Sequence, residues 1–275
     1  MDKIKVQDFS LKHTIECGQF FYYIYEPNTN FYYIVNKDTV FKVKQENDYL
    51  HYHGIKKEDL IYFFSLDVNL KSLTKDFSED KYLLLSLEKY FGMRLIRQDF
   101  EQCLISFVCS SASNIPKIQK NIFLLSKYFG REVGFDGKLF YTFPKIEKID
   151  DIEKIKLSKT GFRSKYILEI NNIIKNKPEL LEEIKTLNYK DAKERLMTLP
   201  GIGSKVADCI CLFSLNHDSA FPIDTWVKQV IEKLYLEREA KNIKELEEFI
   251  EKKFKTNKGL KQQYLFHYAR NHLKE

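Results

Sequence analysis

Two side chains with complementary chemistry, Lys205 and Asp224, stand near the starts of two neighbouring apolar segments. Lys205 lies in LPGIGSKVADCICLF, after a glycine-containing turn and in the first turn of a helix predicted from Ser204. The positive end of a helix and the apolar neighbours Val206 and Ile210 both disfavour a cation there. We therefore expect free-amine character, and a free amine attacks carbon electrophiles and forms Schiff bases. A solvated lysine that contacts phosphate is the alternative.

Asp224 lies in FPIDTWVKQVIEKLY, after Pro222 and before a predicted amphipathic helix. This position is typical of a helix N-cap, a role that alone would explain the aspartate. An N-cap carboxylate close to the amine of Lys205 would also stabilise positive charge that develops during a reaction. The two roles are compatible, so the pair predicts nucleophilic chemistry in addition to binding.

The segment PGIG, residues 200–203, connects the predicted helix YKDAKERLMTL to the helix from Ser204. Gly201 and Gly203 permit positive φ and leave no side chain between the backbone and a ligand. The free amides at the start of the next helix favour a phosphate group. An ordinary αα-turn with glycine caps is the alternative. The whole segment resembles a helix-hairpin-helix motif, about residues 191–213, which holds the DNA backbone without reading sequence.

The predicted elements change in type along the chain. QFFYYIYEP, NFYYIV, TVFKVKQ and YLHYHG are short, aromatic and β-branched, and turn residues separate them, which predicts antiparallel strands. Longer segments with helical spacing of apolar residues follow, and from residue 146 onward nearly everything is predicted helical. We expect an α+β protein with an N-terminal antiparallel β-sheet domain, residues 1–92. A mostly α-helical domain, residues 93–275, would follow and contain the helix-hairpin-helix motif.

Composition sets wide limits. The 45 Lys and Arg residues against 39 Asp and Glu give a formal charge of +6, which allows a polyanionic partner without requiring one. The 5 cysteines form no disulfide framework or zinc-type spacing, so we expect reduced thiols and no metal site. No segment has the length of an apolar membrane span, and MDKIKVQDFSLKH lacks the apolar core of a signal peptide. These features predict a cytoplasmic protein.

Several segments, in order and spacing, resemble the helix-hairpin-helix DNA glycosylase superfamily and, within it, the 8-oxoguanine DNA glycosylase/AP lyase family. They are GQFFYY (18–23), RLIRQDFEQCLISFVCSSASNI (94–115), FYTFP, TGFRSKY, LPGIGSKVADCICL and FPIDTW. The resemblance covers most of the chain and thins in the strands and near residues 240–258. It implies a monomer that acts on double-stranded DNA containing oxidised guanine in base excision repair, with no cofactor except a possible monovalent ion at the hairpin.

The resemblance also implies a role for each matching position. Lys205 would be the nucleophile that attacks C1′ of the damaged nucleotide, and Asp224 would assist departure of the base. The base would be flipped out of the stack. It would meet the carbonyl of Gly18 at N7–H, Cys209 and Phe266 on its two faces, and Gln262 on its Watson–Crick edge. The implied DNA contacts are Asn114, Lys117, Phe162, Arg163, Gly201, Gly203 and Trp226.

Four positions depart from the family pattern. Ala112 stands where the family has asparagine, and Lys117 replaces an arginine that contacts the opposite cytosine. Phe162 replaces a wedge tyrosine, and Trp226 replaces a histidine that contacts phosphate. Alanine cannot hydrogen-bond a base, and lysine lacks the planar fork of arginine. We therefore predict relaxed specificity for the base opposite the lesion.

Other classes of protein fit less well. An alkylpurine glycosylase would use Asp224 without Lys205, and the iron–sulfur branch needs clustered cysteines near the C-terminus, whereas none follows Cys211. A non-catalytic DNA-binding module would use the hairpin but does not require the Lys205–Asp224 pair. A protein-interaction scaffold would require none of the ordered motifs.

Overall fold

The computed structural model describes residues 1–273, so the last two residues of the predicted helical domain, 274 and 275, lie outside the described part. The strands are β1 Asp2–Lys5, β2 Tyr23–Glu26, β3 Phe31–Asn36, β4 Thr39–Glu46, β5 Tyr49–His53, β6 Glu132–Phe135 and β7 Lys138–Tyr141. The first helices are α1 Leu11–Glu16, α2 Lys57–Phe63, α3 Leu70–Leu73, α4 Lys81–Tyr90, α5 Phe100–Val108, α6 Ile115–Phe129 and α7 Ile152–Leu157. The later helices are α8 Arg163–Asn176, α9 Leu180–Thr186, α10 Tyr189–Met197, α11 Ser204–Phe213, α12 Thr225–Val230, α13 Ile243–Lys253 and α14 Lys258–His272.

The N-terminal strands form one antiparallel sheet in the order β1-β5-β4-β3-β2. Strand β3, which lies between β4 and β2, is buried on both faces, as its continuous run of aromatic and β-branched residues requires. This sheet and the mostly helical remainder confirm the predicted α+β class. The expected domain boundary at residue 92 stays a prediction.

A separate two-stranded hairpin, β6–β7, was not predicted. Its turn contains Asp136 and Gly137, both with positive φ, which is the geometry of a type I′ hairpin turn. The dipeptide Asp-Gly between Phe135 and Lys138 was therefore the available sequence signal. Strand β1 was also missed, because DKIK is too short and too charged to give a period-2 pattern.

Two hydrophobic clusters support the molecule. The larger joins the N-terminal sheet to α5, α6, α8, α10 and α11. The smaller joins α4 to α12, α13 and α14. The C-terminal helix α14 therefore packs beside α4 of the N-terminal segment, and Gln263 donates from Nε2 to the carbonyl of Cys17 at 3.2 Å. No helix within residues 1–273 has the length and apolarity needed to cross a membrane.

The predicted helix-hairpin-helix is confirmed as α10, a turn and α11. A buried carboxylate joins its two helices: Asp208 accepts hydrogen bonds from Tyr189 Oη at 2.7 Å and from Lys193 Nζ at 2.9 Å. Burial raises the pKa of Asp208, while the Lys193 cation opposes the rise. These contacts fix the angle between α10 and α11 and hence the position of the turn between them.

Candidate active site

A cavity of about 530 Å³ opens between the first turns of α6, α11 and α12 and one face of α14. Eight of the thirteen predicted site residues line it: Gly18, Asn114, Lys205, Cys209, Asp224, Trp226, Gln262 and Phe266. The other five lie outside its wall: Lys117, Phe162, Arg163, Gly201 and Gly203. The two predicted catalytic residues therefore share one cavity with all four predicted base contacts.

Lys205 is held at the cavity by α5 and the residue after its C-cap. Its Nζ donates to Oγ of Ser110 at 3.1 Å and lies 5.5 Å from the ring centroid of Phe107. The Ser110 hydroxyl itself donates to the carbonyl of Phe107 at 2.7 Å. Because that hydroxyl proton is committed, the serine oxygen can only accept from Lys205. Ser110 was not predicted as a site residue, although it lies inside the matched block CSSASNI.

Cys209 lies one helical turn after Lys205 on the same face of α11. Burial raises the pKa of its thiol to about 12, although the nearby Lys205 cation acts in the opposite direction. The thiol is therefore neutral at physiological pH. It offers the cavity a small polarisable surface and no thiolate nucleophile.

Asp224 is the N-cap of α12. One carboxylate oxygen accepts from the backbone N–H of Val227 at 2.8 Å. Burial raises the pKa of Asp224, whereas the hydrogen bond from Val227 and the Lys205 cation lower it. The capping role that the sequence suggested is present, and the carboxylate lines the same cavity as Lys205.

Gly18 closes one side of the cavity. Its φ is +90°, and a Cβ at this position would lie 2.8 Å from Nη1 of Arg270 and 2.9 Å from Cδ1 of Ile115. Only glycine fits such a backbone and such neighbours. The fully buried Gln19 fixes this backbone, because its Nε2 donates to the carbonyl of Arg94 at 2.8 Å and its Oε1 accepts from Ile96 N at 2.8 Å.

Helix α14 supplies the wall next to Gly18. The side chain of Gln262 is 4% exposed, and its Nε2 donates to the carbonyl of Pro222 at 3.1 Å. Its Oε1 is buried and has no hydrogen-bond partner among the described residues. A buried acceptor without a donor is costly, so this oxygen is suited to a donor that arrives with a ligand. Phe266, one turn later, presents its ring to the same cavity.

The segment between α5 and α6, residues 109–114, is organised by Arg163. Arg163 is only 1% exposed, and its Nε donates to the carbonyl of Ser111 at 2.8 Å. Its Nη2 donates to the carbonyl of Ala112 at 2.9 Å, and its Nη1 to that of Thr160 at 3.1 Å. The guanidinium thus fixes the segment that carries Ser110. The DNA contact expected of Arg163 stays a prediction, and the structure gives this residue a positioning role that the sequence did not reveal.

Of the remaining predicted DNA contacts outside the hairpin, Asn114 and Trp226 line the cavity, whereas Lys117 and Phe162 do not. Phe162 is 57% exposed, and the guanidinium carbon of Arg163 lies 4.4 Å from its ring centroid. Asn114 caps α6, accepting from the N–H of Lys117 at 3.0 Å, so its side-chain oxygen is already engaged. Lys117 is exposed, and Trp226 is partly buried against the smaller hydrophobic cluster.

The two hairpin glycines differ in what surrounds them. Gly201 has φ +75°, and a Cβ there would lie 2.5 Å from Cδ2 of Tyr166. Gly203 is the N-cap of α11, has no side-chain cap, and a Cβ there would meet nothing within 4 Å. The first amides of α11 therefore remain available at an open surface, which suits a phosphate group.

This contrast gives a prediction. Gly201→Ala should destabilise the fold by about 1–2 kcal/mol or more, because it combines a positive φ with a steric overlap. Gly203→Ala should leave the free energy of unfolding unchanged and still weaken duplex binding, because its methyl group stands where a phosphate approaches. Denaturant unfolding and titration of a fluorescent duplex measure the two effects. Equal stability of the two variants would contradict the assignment.

The fold and the cavity together define a helix-hairpin-helix DNA glycosylase, in which a lysine and an aspartate face a cavity with room for a base. Comparison with known proteins narrows this class. A family model described as the N-terminal domain of 8-oxoguanine DNA glycosylase matches residues 3–104. The N-glycosylase/DNA lyase of Saccharomyces cerevisiae is 30% identical over 277 residues, which cover 88% of this chain and 73% of that protein.

Two further relatives agree. The N-glycosylase/DNA lyase OGG1 of Arabidopsis thaliana is 37% identical over 179 residues, so the match spans 62% of this chain and about half, 49%, of that protein. The 8-oxoguanine glycosylase/lyase of Clostridium acetobutylicum, solved with double-stranded DNA containing cytosine opposite 8-oxoguanine, is 32% identical with a TM-score of 0.92. That match covers 100% of this chain and 99% of the solved chain. The chain belongs to the 8-oxoguanine DNA glycosylase family, and it is an enzyme of the N-glycosylase/DNA lyase class.

Proposed function

We propose that this chain excises 8-oxoguanine from duplex DNA and then cleaves the strand, with Lys205 as the nucleophile of both steps. One observation carries the proposal: Lys205 and Asp224 share with Cys209, Gln262 and Phe266 a cavity that has room for a base. A DNA-binding module would need the hairpin but not this combination. The base enters the cavity only after it is flipped out of the stack, as in other enzymes that act on a base.

The first step displaces the base. Nζ of Lys205 first gives up one proton to the solvent. Its lone pair then bonds to C1′, and the bond from C1′ to N9 breaks with its electron pair moving to the base, which takes up a proton. Positive charge develops on the sugar, and the carboxylate of Asp224 stabilises it. Nζ then loses one proton, the bond from C1′ to O4′ breaks with its electron pair moving to O4′, which takes up a proton, and the protonated Schiff base forms.

The second step cleaves the strand. The iminium of Lys205 acidifies the protons on C2′, and loss of one of them breaks the bond from C3′ to its oxygen, so the phosphate departs. Water then hydrolyses the imine and frees the lysine. Besides solvent water and protons, the reacting groups of both steps are the amine of Lys205 and the DNA strand itself.

Recognition of the lesion rests on three contacts in this proposal. The carbonyl of Gly18 accepts N7–H, which 8-oxoguanine has and guanine lacks. Gln262 Oε1 accepts from the Watson–Crick edge, and the base stacks between Cys209 and Phe266. With guanine, the N7 lone pair would face a carbonyl oxygen, so a buried acceptor would remain unpaired at a penalty of about 1–3 kcal/mol.

We extend the proposal to relaxed specificity for the opposite base. Ala112 is exposed and offers no hydrogen-bonding side chain, Lys117 lacks a planar fork, and the guanidinium of Arg163 is engaged with backbone carbonyls. Excision of 8-oxoguanine opposite C, A, G and T should therefore differ by less than about tenfold, because no bidentate contact to cytosine is available. A strong preference for cytosine would overturn this part of the proposal.

The test of the activity compares duplexes that carry 8-oxoguanine, guanine or 3-methyladenine at one position. We expect release of free 8-oxoguanine together with a strand break, and no release of the other two bases. Release of 3-methyladenine without a strand break would instead indicate alkylpurine chemistry. A monomeric state, a cytoplasmic location, and a monovalent ion at the hairpin remain predictions from the sequence.

A further inference from the structure

Helix α14 presents a third polar side chain to the cavity. Gln262, Phe266 and Arg270 recur every fourth residue, so they share one face of the helix, and all three line the cavity. Arg270 lies at the end of this row beside Gly18. No pattern in the sequence indicated a role for Arg270.

One nitrogen of Arg270 is anchored. Its Nη2 donates to the carbonyl of Glu16 at 2.8 Å and lies 3.4 Å from Nδ1 of His267. Burial and the Arg270 cation lower the pKa of His267 to about 3, so its ring is neutral at physiological pH and can accept a hydrogen bond. Because the guanidinium is planar, these contacts also fix the direction of the other nitrogen.

The other nitrogen, Nη1, is buried and has no hydrogen-bond partner among residues 1–273. It lies 2.8 Å from the place that a Cβ of residue 18 would occupy, and the guanidinium carbon is 5.6 Å from the ring centroid of Phe266. An unpaired donor of a cation inside a protein is more costly than an unpaired neutral group. Its position next to the proposed N7–H acceptor points to a ligand as the missing partner.

We propose that Arg270 Nη1 donates to the O6 carbonyl of the flipped 8-oxoguanine. This inference rests on the proposed function and extends it to a specificity residue of the same cavity. Three groups then stand in the order acceptor, donor, acceptor: the carbonyl of Gly18, Nη1 of Arg270 and Oε1 of Gln262. The edge of 8-oxoguanine presents N7–H, O6 and N1–H in the complementary order. In 8-oxoadenine an amino group replaces O6 and would face the Arg270 donor.

The test measures equilibrium binding in a Lys205→Gln background, so that no base is excised. Three duplexes are compared, which carry 8-oxoguanine, 8-oxoadenine or a tetrahydrofuran abasic analogue. Arg270→Met should weaken binding to the 8-oxoguanine duplex by at least about tenfold, the effect of losing a hydrogen bond to a charged group. It should leave the tetrahydrofuran duplex unchanged and narrow the preference for 8-oxoguanine over 8-oxoadenine by the same factor.

Two further variants keep the test decisive. Arg270→Lys keeps the cation but lacks the second directed donor, so it should lose the same base-specific affinity even if the methionine variant folds poorly. Arg97→Met is the matched control, because Arg97 pairs with Asp67 outside the cavity, and it should change none of the three affinities.

Two results would overturn the inference. An equal loss of affinity for all three duplexes would mean that Arg270 contacts phosphate or serves only in packing. No loss of affinity for any duplex would mean that Arg270 takes no part in recognising the base. Excision of 8-oxoguanine by the unmodified enzyme is measured beside these variants. If that excision occurs while Arg270→Met binds like its parent, the inference about Arg270 fails and the proposed function stands.

Discussion

Replacing Lys205 with glutamine should reduce single-turnover excision of 8-oxoguanine by on the order of 10⁴-fold or more, the scale seen when a catalytic nucleophile is removed. Glutamine is one atom shorter but keeps a polar end with N–H donors near Ser110, so the cavity should persist. Its amide nitrogen has no available lone pair and cannot attack C1′. Duplex binding should stay within about a few-fold, because the hairpin and the first turn of α11 remain.

The matched control is Lys244→Gln, which removes one positive charge from exposed α13 outside the cavity wall. Rapid-quench measurement of the excised base at excess enzyme separates chemistry from product release. Loss of excision in both variants would mean that overall charge governs the rate. Full excision by the Lys205 variant would mean that water or another group is the nucleophile, and the assignment of Lys205 would be wrong.

Asp224→Asn should lower excision by about 10²- to 10³-fold, the scale of a lost electrostatic contact to a developing charge. The amide oxygen of asparagine can still accept from Val227 N, so the cap of α12 should remain. The change therefore separates the two roles that the sequence left open. Normal excision by this variant would reduce Asp224 to a helix cap.

The direction of the pKa shift of Asp224 also predicts how Asp224→Asn changes the stability of the fold. Burial raises this pKa, so the folded state binds the proton more tightly than the unfolded state does. The ionised carboxylate thus destabilises the fold as pH rises through the unfolded and then the folded pKa, and it still does so at pH 7. Asp224→Asn should accordingly be at least as stable as the parent at pH 7, while excising poorly.

The pH dependence of excision by the parent protein should report the ionisation of the same carboxylate, Asp224. Its excision should fall as pH decreases through the raised pKa of Asp224, at higher pH than an ordinary aspartate would give, because the carboxylate must be ionised to stabilise the sugar. This acidic limb should be absent from Asp224→Asn. Profiles of single-turnover rate against pH for the two proteins, with thermal unfolding at each pH, measure both effects. If both proteins show the acidic limb, a group other than Asp224 causes it.

The sequence predicted the parts of the fold that depend on local patterns. The four aromatic strands of the N-terminal sheet, the helices on either side of PGIG, and the capping role of Asp224 all follow from periodicity and terminal residues. The β6–β7 hairpin was missed because its Asp-Gly turn was not used, although that signal was present at residues 136 and 137.

The site was only partly visible in the sequence. Family resemblance brought together residues as distant as Gly18 and Phe266, which no local pattern could have joined. The same resemblance predicts a DNA contact for Arg163 but did not indicate that its guanidinium is buried against the segment that carries Ser110. Whether Arg163 is buried, and which backbone carbonyls it contacts, depends on packing between segments that are distant in the sequence. For the same reason the free donor of Arg270 became apparent only when α14 was seen against Gly18.

The most direct test of the central claim is borohydride trapping on a duplex with one 8-oxoguanine. Borohydride reduces a Schiff base between enzyme and sugar to a stable amine, so the reaction reports the bond itself. The parent protein should form a covalent adduct, Asp224→Asn should form it slowly, and Lys205→Gln should form none. Binding without any adduct in the parent, or an undiminished adduct in Lys205→Gln, would contradict the assignment of Lys205 as the nucleophile.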